Sequence, residues 1–317
     1  MPERRPGRSG AASDPTSPLP ITSVWLTCQQ PAPLQRKGRY VPASRTHPAK
    51  MLPAIAAHAI ATYTTPGDTV LDPMCGSGTT LGEAVRAGRH AIGVDIEAPF
   101  TAIATANLEL AASQGATGHG QVITGDATRL LDLLPPHAHG QIALVMTSPP
   151  YGSSTHGLPQ TRPDARILTE HHRYGPSGNG NLAYAGWDRL LAGFTQILAA
   201  CLDVLRPGGI VAITSRPVRR HRDDLYDLPS QVLASATSAG LEPVERCVAL
   251  LAAVRDEQII HRASLFALLQ ARRTRTAGVP VSVVAHEDVH ILRKPLTSKP
   301  ASDRRDTTRR PPPTPAP

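Results

Sequence analysis

The most constraining feature of the sequence is the alternation of short apolar runs with stretches of helical periodicity. Residues 48–63 have apolar side chains at helical spacing, residues 69–72 form a short apolar run, and residues 79–87 are again helical in pattern. The alternation continues through residues 90–95, 98–112, 121–124, 142–147, 187–205, 210–215 and 228–239, followed by apolar runs at 248–253, 281–285 and 289–292. Strands that alternate with helices form a parallel sheet covered on both faces. We therefore expect an α/β fold with a doubly wound, mostly parallel, seven-stranded, Rossmann-like sheet in a single domain.

The two ends of the chain do not share this pattern. Residues 1–20 and 296–317 are rich in Pro, Arg, Ser and Thr and offer too little apolar surface to offset the entropy of ordering. We expect both to be disordered tails around a folded domain at residues 21–295. The formal net charge of +8 indicates a polyanionic partner such as nucleic acid, although much of the excess lies in the tails.

Other compositional features exclude some classes of protein. No segment has the roughly 18 consecutive apolar residues of a membrane helix, and the N-terminus lacks the apolar run of a signal peptide. These absences predict a cytoplasmic protein without a membrane partner. The cysteines are too scattered for a metal or redox centre, so we expect free thiols and no metal. They are Cys28, Cys75, Cys201 and Cys247.

A glycine-rich segment follows the first predicted strand and reads DPMCGSGTT from Asp72 to Thr80. Gly76 and Gly78 allow a tight turn and a close approach of the backbone to a ligand, and the helix that begins near Thr79 presents free N–H groups. This arrangement suits the carboxylate end of an amino-acid-like ligand. It lacks the lysine of a phosphate loop and the third glycine of a dinucleotide fingerprint.

Acidic residues follow the next two predicted strands. Asp95 ends the second strand, where a carboxylate accepts hydrogen bonds from both hydroxyls of a ribose. Glu97 is a weaker candidate for the same ribose contact, and Asp126, which follows the third strand, is a candidate acceptor for an adenine amino group. A capping or surface role is the alternative for each acid alone, but their successive positions at strand ends favour a shared binding site.

The fourth predicted strand ends in Ser148, Pro149, Pro150 and Tyr151. Two prolines remove two N–H donors and stiffen the backbone, so the carbonyl oxygens become fixed acceptors. Such acceptors hold an exocyclic amino group by its protons and aim the nitrogen lone pair at an electrophile. The ring of Tyr151 is a surface on which a base can stack.

These segments together resemble the S-adenosylmethionine-dependent amino-methyltransferases of nucleic acids, in particular bacterial DNA methylases of the cytosine-N4 and adenine-N6 type. DPMCGSGTT resembles the cofactor loop of that family, and SPPY resembles its catalytic motif. The segment HPAK at residues 47–50 and the segment HEDVHILRKP at residues 286–295 are similar to flanking segments of the same enzymes.

The resemblance covers residues 23–295 and implies a Rossmann-like methyltransferase fold that binds S-adenosyl-L-methionine. It implies cofactor contacts by Asp72, Pro73, Gly76, Gly78, Thr79, Asp95 and Asp126. It assigns the catalytic role to Ser148, Pro149, Pro150 and Tyr151. The chain departs from many HPAK-containing members in having the catalytic motif after the cofactor loop, and it lacks a separate target-recognition domain.

Several substrates remain open from the sequence. Serine in the first position of the catalytic motif is typical of cytosine-N4 enzymes, which favours that base in DNA. Adenine-N6 in DNA, RNA methylation of the tRNA guanine-N2 type, and a non-catalytic nucleic-acid-binding protein are the alternatives. A cytosine-C5 enzyme is disfavoured because it needs a Pro-Cys nucleophile, and no Pro-Cys dipeptide occurs.

Two further segments have candidate substrate roles. Residues 152–185 are longer than an ordinary connection, which indicates either a lid over the substrate or a mobile insertion. Arg216, Arg219 and Arg220 follow the fifth predicted strand at the edge where the substrate is expected. They are candidates for phosphate contacts, and a solvated charged loop is the alternative.

Overall fold

The computed structural model describes residues 22–151, 160–161, 167–168, 181–219 and 224–296. The predicted tail at residues 1–20, almost all of the tail at 296–317, most of the loop at 152–185, and Arg220 lie outside the described residues. No helix of the described part is long and apolar enough to cross a membrane.

Strands and helices alternate along the described chain. The strands are β1 (Val24–Trp25), β2 (Thr69–Asp72), β3 (His90–Asp95), β4 (Gly120–Thr124), β5 (Ile142–Thr147), β6 (Gln160–Thr161), β7 (Ile167–Leu168), β8 (Leu205–Ser215), β9 (Val218–Arg219), β10 (Leu225–Tyr226), β11 (Glu242–Leu250), β12 (Ala252–Arg255), β13 (Gln258–His261) and β14 (His286–Arg293). The helices are α1 (Ala32–Arg36), α2 (Pro53–Tyr63), α3 (Thr79–Arg86), α4 (Ala98–Ser113), α5 (Leu130–Leu133), α6 (Trp187–Val204), α7 (Leu228–Ser238) and α8 (Leu265–Thr276).

Eight of the strands form one sheet in the order β1-β11-β14-β8-β5-β2-β3-β4. β14 runs antiparallel to both of its neighbours, and the other pairings in this sheet are parallel. From β2 the chain winds outward to β4 on one side and through β5 and β8 on the other. This order confirms the predicted doubly wound, mostly parallel α/β sheet and puts the topological switch point between β2 and β5.

The sheet has eight strands rather than the seven that the sequence predicts. The additional strand, β1, consists of two residues that pair with Val248 and Ala249 of β11. Two residues are too few to produce an alternating or apolar pattern, so the sequence contains no periodic signal for this strand. β1 closes the edge of the sheet beside β11.

Helices cover both faces of the sheet. The strand β5 is buried along its whole length, and its residues alternate between two apolar cores. Val145 packs in one core with Phe194 of α6 and Val232 of α7. Leu144 packs in the other core with Ile55 of α2. A continuous apolar strand is what a parallel sheet covered on two faces requires.

Three local predictions differ from the structure. The helix predicted at residues 48–63 is α2, which begins at Pro53 rather than residue 48. A proline, which lacks an N–H, is best placed at the first helical position. Residues 281–285 are apolar but lie outside any strand. The helix α8 was not predicted. Its N-terminus is capped by Ser264, whose hydroxyl accepts a hydrogen bond from Ala267 N at 3.2 Å.

Candidate active site

A cavity of about 810 Å³ lies at the carboxyl ends of the parallel strands. This is the size of a small-molecule site and the position at which doubly wound sheets bind ligands. Of the predicted site residues, those along the cavity are Asp72, Pro73, Gly76, Thr79, Asp95, Asp126, Ser148, Pro149, Pro150, Tyr151 and Arg216. Gly78 and Arg219 do not line it. The fold therefore brings together segments that are separated by more than a hundred residues in the sequence.

The glycine-rich loop connects β2 to α3 and is held by the end of β3. The amide of Gly76 donates a hydrogen bond to Asp95 Oδ2 at 2.7 Å. Gly76 has a φ of +49°, and a Cβ at this position would lie 2.4 Å from His47 Nε2. A side chain at residue 76 would thus collide with the HPAK segment, which packs directly on the loop.

His47 is the residue that presses on this loop. Its ring is buried and meets the ring of Phe100 edge-on, with 4.4 Å between the centroids. Burial, with a contribution from the nearby positive charge of Lys50, lowers the pKa of His47 to about 3. His47 is therefore a neutral packing residue at physiological pH. The ammonium of Lys50 donates a hydrogen bond to the carbonyl oxygen of His47 and lines the cavity.

Gly78 contacts a helix rather than the cavity. It has a φ of +77°, and a Cβ there would lie 2.9 Å from the Cβ of Ala104 in α4. The left-handed backbone and the close approach of α4 both require glycine at this position. Its predicted contact with the cofactor stays a prediction, but the structure provides a packing reason for the residue.

Asp72 is buried at the end of β2. One carboxylate oxygen accepts a hydrogen bond from Thr80 Oγ1 at 2.7 Å, and the other accepts from the amide of Met74 at 3.2 Å. Burial raises the pKa of Asp72 to about 6, and the hydrogen bonds from Thr80 and Met74 oppose this rise. The carboxyl group thus fixes the start of the loop and would be stabilised in its ionised form by a cation in the cavity.

Asp95 joins the end of β3 to the glycine-rich loop. Its Oδ2 accepts from Gly76, and its Oδ1 accepts from the amide of Glu97 at 2.9 Å. Burial raises the pKa of Asp95, and these two amides oppose that effect. Each carboxylate oxygen has a second lone pair. Glu97 also lines the cavity, where it accepts a hydrogen bond from Asn181 Nδ2 at 2.7 Å.

Asp126 has the capping geometry that was the alternative to a binding role. Its Oδ1 accepts from both the amide and the hydroxyl of Thr128, each at 2.9 Å, at the start of a short 3₁₀ turn. The residue is exposed and lines the cavity. Its Oδ2 accepts no hydrogen bond from the side chains and amides that the structure describes. Capping therefore occupies one oxygen and leaves the other for a ligand.

The segment Ser148 to Tyr151 follows β5 at the centre of the sheet. All four of its residues line the same cavity as the glycine-rich loop. Tyr151 is only 8% exposed, and the guanidinium carbon of Arg216 lies 5.5 Å from the centre of its ring. This distance is within the range of a cation–π contact.

Arg216 belongs to the cavity together with an acid that the sequence reasoning did not single out. Glu287, near the start of β14, lines the cavity next to Thr214 and Arg216. Burial raises the pKa of Glu287, whereas the charge of Arg216 and a hydrogen bond with Thr214 lower it. The pairing of Asp288 with Ser215 explains why these residues meet, because one further step in this antiparallel register brings Glu287 opposite Arg216. The sequence contains no signal for that register.

The other predicted arginines are separate from this group. Arg219 lies in β9, which pairs with β10 beyond the end of β8. Arg220 is outside the described residues. Many residues that the sequence did not single out also line the cavity, and three of the polar ones come from segments without a recognisable motif. They are Asn181, Arg189 and Arg262.

Two of the four cysteines, Cys28 and Cys75, line the cavity. All four cysteines are free and buried, which confirms the expectation of free thiols. Within the described ranges, no group of three or more His, Cys, Asp or Glu side chains is arranged to hold a metal ion.

The chain is similar to one family model and to several solved structures. The family model described as DNA methylase matches residues 8–106, which is less than half of the chain and includes the glycine-rich loop. Among solved structures, the chain is similar to a TehB-like SAM-dependent methyltransferase from Corynebacterium glutamicum, with 14% identity over 75% of this chain and 86% of that one and a TM-score of 0.39.

Two further structures are similar at the same level. A methyltransferase from Pyrococcus furiosus is 11% identical over 77% of this chain and 84% of that one, with a TM-score of 0.43. A Burkholderia thailandensis 1,6-didemethyltoxoflavin-N1-methyltransferase with bound S-adenosylhomocysteine is 14% identical over 80% and 79%, with a TM-score of 0.40. These identities and scores are too low to transfer a substrate, so the case for function rests on the cavity.

Proposed function

We propose that the protein is an S-adenosylmethionine-dependent methyltransferase that acts on an exocyclic amino group of a DNA base, with cytosine N4 as the target. One observation supports this proposal above all others. A single cavity is lined by the glycine-rich loop, by acids at the ends of β3 and β4, and by the Ser148–Tyr151 segment. The residues proposed to hold the cofactor and those proposed to hold the amine thus line the same cavity.

The residues at the ends of β2, β3 and β4 fit the cofactor. Gly76 has no side chain to fill the loop, and Asp95 retains second lone pairs that suit ribose hydroxyls. The unused Oδ2 of Asp126 suits the amino group of adenine. Asp72, whose pKa is raised by burial, suits a ligand that carries positive charge. The match of the DNA methylase family model to residues 8–106 supports the same cofactor.

The residues after β5 fit the amine. The carbonyl oxygen of Pro149 and the hydroxyl of Ser148 are acceptors for the two protons of an amino group, and the prolines prevent the backbone from turning these acceptors away. When bound, S-adenosylmethionine supplies a methyl group on a positively charged sulfur. The role of this chain is to orient the amine lone pair and to exclude water from the cavity. The ring of Tyr151 supports the base.

Cytosine is favoured over adenine by two features. Serine in the first position of the SPPY motif resembles the cytosine-N4 enzymes. Arg216, which has only hydrogen-bond donors, lies inside the cavity beside Tyr151. On the Watson–Crick edge, cytosine presents two adjacent acceptors, N3 and O2, beside its amino group, whereas adenine presents N1 there and has its other neighbouring acceptor, N7, on the opposite side of the amino group. A donor-only side chain therefore complements cytosine better.

DNA is favoured over RNA by the family match, and the formal net charge of +8 suits either polymer. A base inside a duplex cannot enter an enclosed cavity, so it has to be flipped out at a cost of a few kcal/mol. Stacking on Tyr151 offsets part of that cost.

The test is to incubate the purified protein with labelled S-adenosylmethionine and either duplex DNA or total RNA, and to identify the methylated nucleosides by mass spectrometry. We expect N4-methylcytosine in DNA, and much less of it with Ser148→Ala at matched times. N6-methyladenine in DNA would refute the choice of base, and label only in RNA would refute the choice of polymer. Cofactor binding without transfer to any substrate would instead indicate a non-catalytic protein.

A further inference from the structure

An unpredicted part of the structure lies beside the cavity. Residues 251–285, here called the β11–β14 insert, connect two adjacent antiparallel strands and contain the hairpin β12–β13 and the helix α8. β11 ends and β14 begins at the cavity edge of the sheet, because Glu287 at the start of β14 lines the cavity. The insert therefore projects from the edge at which the substrate has to arrive.

The insert also reaches into the cavity. Leu251, before the hairpin, and Arg262, after it, both line the cavity wall. The Nη2 group of Arg262 donates a hydrogen bond to the carbonyl oxygen of Gln29 at 3.1 Å. Its Nε is buried and finds no hydrogen-bond partner within the described residues. Arg262 is thus a cation at the cavity wall that keeps part of its donor capacity for a ligand.

The part of the insert that follows the hairpin turn at Asp256 and Glu257 is basic and apolar. Residues 258–285 include four arginines and no Asp or Glu. On α8, Leu265, Leu269, Arg272 and Arg273 are exposed, and no helix or strand of the described chain packs broadly against this helix. Neither Arg272 nor Arg273 has an ion-pair partner among the described residues.

We propose that the exposed face of α8 docks on the phosphate backbone of duplex DNA next to the target base, and that Arg262 continues this contact to the cavity wall. The inference rests on the proposed function, because the DNA it binds is the substrate of that reaction. Charge complementarity identifies the partner. Unpaired arginines without neighbouring acids attract a polyanion, and the apolar side chains of the same face suit the deoxyribose rather than bulk water. The insert thereby serves to dock the duplex beside the cavity.

The test compares two double variants that remove the same charge. Arg272→Ala with Arg273→Ala removes two cations from α8. Arg206→Ala with Arg293→Ala is the matched control, because these exposed arginines lie at the amino edge of the parallel sheet, at the start of β8 and the end of β14. The binding of a fluorescent duplex is measured across a series of salt concentrations. Circular dichroism and the affinity for S-adenosylmethionine verify that both variants are folded.

We expect the α8 variant to lower the slope of log K against log salt by about 1.8, which is two released counterions, and the control to leave the slope unchanged. The proposal would be overturned by equal slopes in the wild type and the α8 variant, or by equal reductions of the slope in both variants. It would also be overturned by a wild type that does not bind the duplex. A loss confined to double-stranded RNA would overturn it in favour of that polymer. Methyl transfer is measured on the same duplex, so that transfer with an unchanged slope refutes the docking alone. A reduced slope without transfer refutes the proposed function alone.

Discussion

The two halves of the cavity are built in different ways. The half at the ends of β2, β3 and β4 is connected by hydrogen bonds within the chain, such as those from Gly76 and Glu97 to Asp95 and from Thr80 to Asp72. The half at β5, β8, β14 and the β11–β14 insert contains two cationic side chains, Arg216 beside the ring of Tyr151 and Arg262, whose Nε has no hydrogen-bond partner among the described residues. The first half is organised before any ligand binds, and the second is equipped to respond to one. A universal cofactor and a variable substrate would call for this division.

The largest expected effect concerns the packing of the first half. Gly78→Val should destabilise the fold by about 3 kcal/mol, because a left-handed valine costs roughly 1 to 3 kcal/mol and its collision with Ala104 costs a similar amount. Urea unfolding followed by circular dichroism measures the change.

The matched control for this substitution is Gly115→Val. Gly115 has a φ of +87° with nothing within 4 Å of its Cβ position, so only the backbone cost applies. Equal destabilisation in the two variants would show that the contact with α4 is unimportant. The first half of the cavity would then be less rigid than its internal hydrogen bonds indicate.

The next largest effect concerns catalysis in the second half. Ser148→Ala should lower the rate of methyl transfer about 10- to 100-fold, because it removes one hydrogen bond, worth roughly 1 to 3 kcal/mol, from the reacting amine. Single-turnover assays give the rate, and calorimetry should give an unchanged affinity for the cofactor.

Ser113→Ala is the control for the serine substitution, since Ser113 is an exposed residue at the end of α4. It should leave the rate unchanged. If Ser148→Ala instead weakened cofactor binding and left the rate intact, Ser148 would belong to the cofactor half and the division of the cavity would be incorrect.

A smaller effect follows from the raised pKa of Asp72, which is about 6. A cationic cofactor binds the ionised carboxylate better, so its affinity should rise about tenfold between pH 5 and pH 7 as this group loses its proton. Asp72→Asn should remove this pH dependence in calorimetric titrations. Asp203→Asn is the control, since Asp203 is exposed on α6 and does not line the cavity, and it should leave the step in place.

The same carboxyl group has an opposite effect on folding. The pKa of Asp72 is higher in the folded protein than its usual 3.8, so its contribution to the free energy of unfolding is greatest below pH 4. That contribution is lost as the pH rises to about 6, by up to roughly 3 kcal/mol. An affinity that fell with rising pH would contradict the role given to Asp72.

The smallest effect is expected at Cys75. Burial raises the pKa of its thiol well above the usual value, so it is a poor nucleophile although it lies in the glycine-rich loop. Cys75→Ser should change the rate of transfer by no more than about twofold. A covalent adduct between the wild-type protein and a base, detected by intact-protein mass spectrometry, would contradict direct transfer.

Sequence patterns located residues in the first half of the cavity better than in the second half. Asp72, Gly76 and Asp95 belong to one continuous strand–loop–helix–strand segment, so local patterns were enough to find them. Arg216 and Glu287 are about seventy residues apart and meet only through the antiparallel register of β8 and β14. Neighbouring strands contribute contacts that a single sequence does not encode in its periodicity. The helix α8 was missed for a related reason: its exposed apolar and basic residues lack a clear amphipathic stripe.

The contact between His47 and Gly76 makes the HPAK segment a latch on the glycine-rich loop. Release of the latch would require a buried neutral imidazole to leave Phe100, and protonation in acid would favour that release because the charged ring cannot stay buried. Any ligand that holds the loop in its latched shape is therefore thermodynamically linked to the docking of the segment. By reciprocity, a change that stabilises the docked HPAK segment also raises the affinity for such a ligand. The segment before α2 is thus coupled to a loop that lies on the other side of α2 and β2 in the sequence.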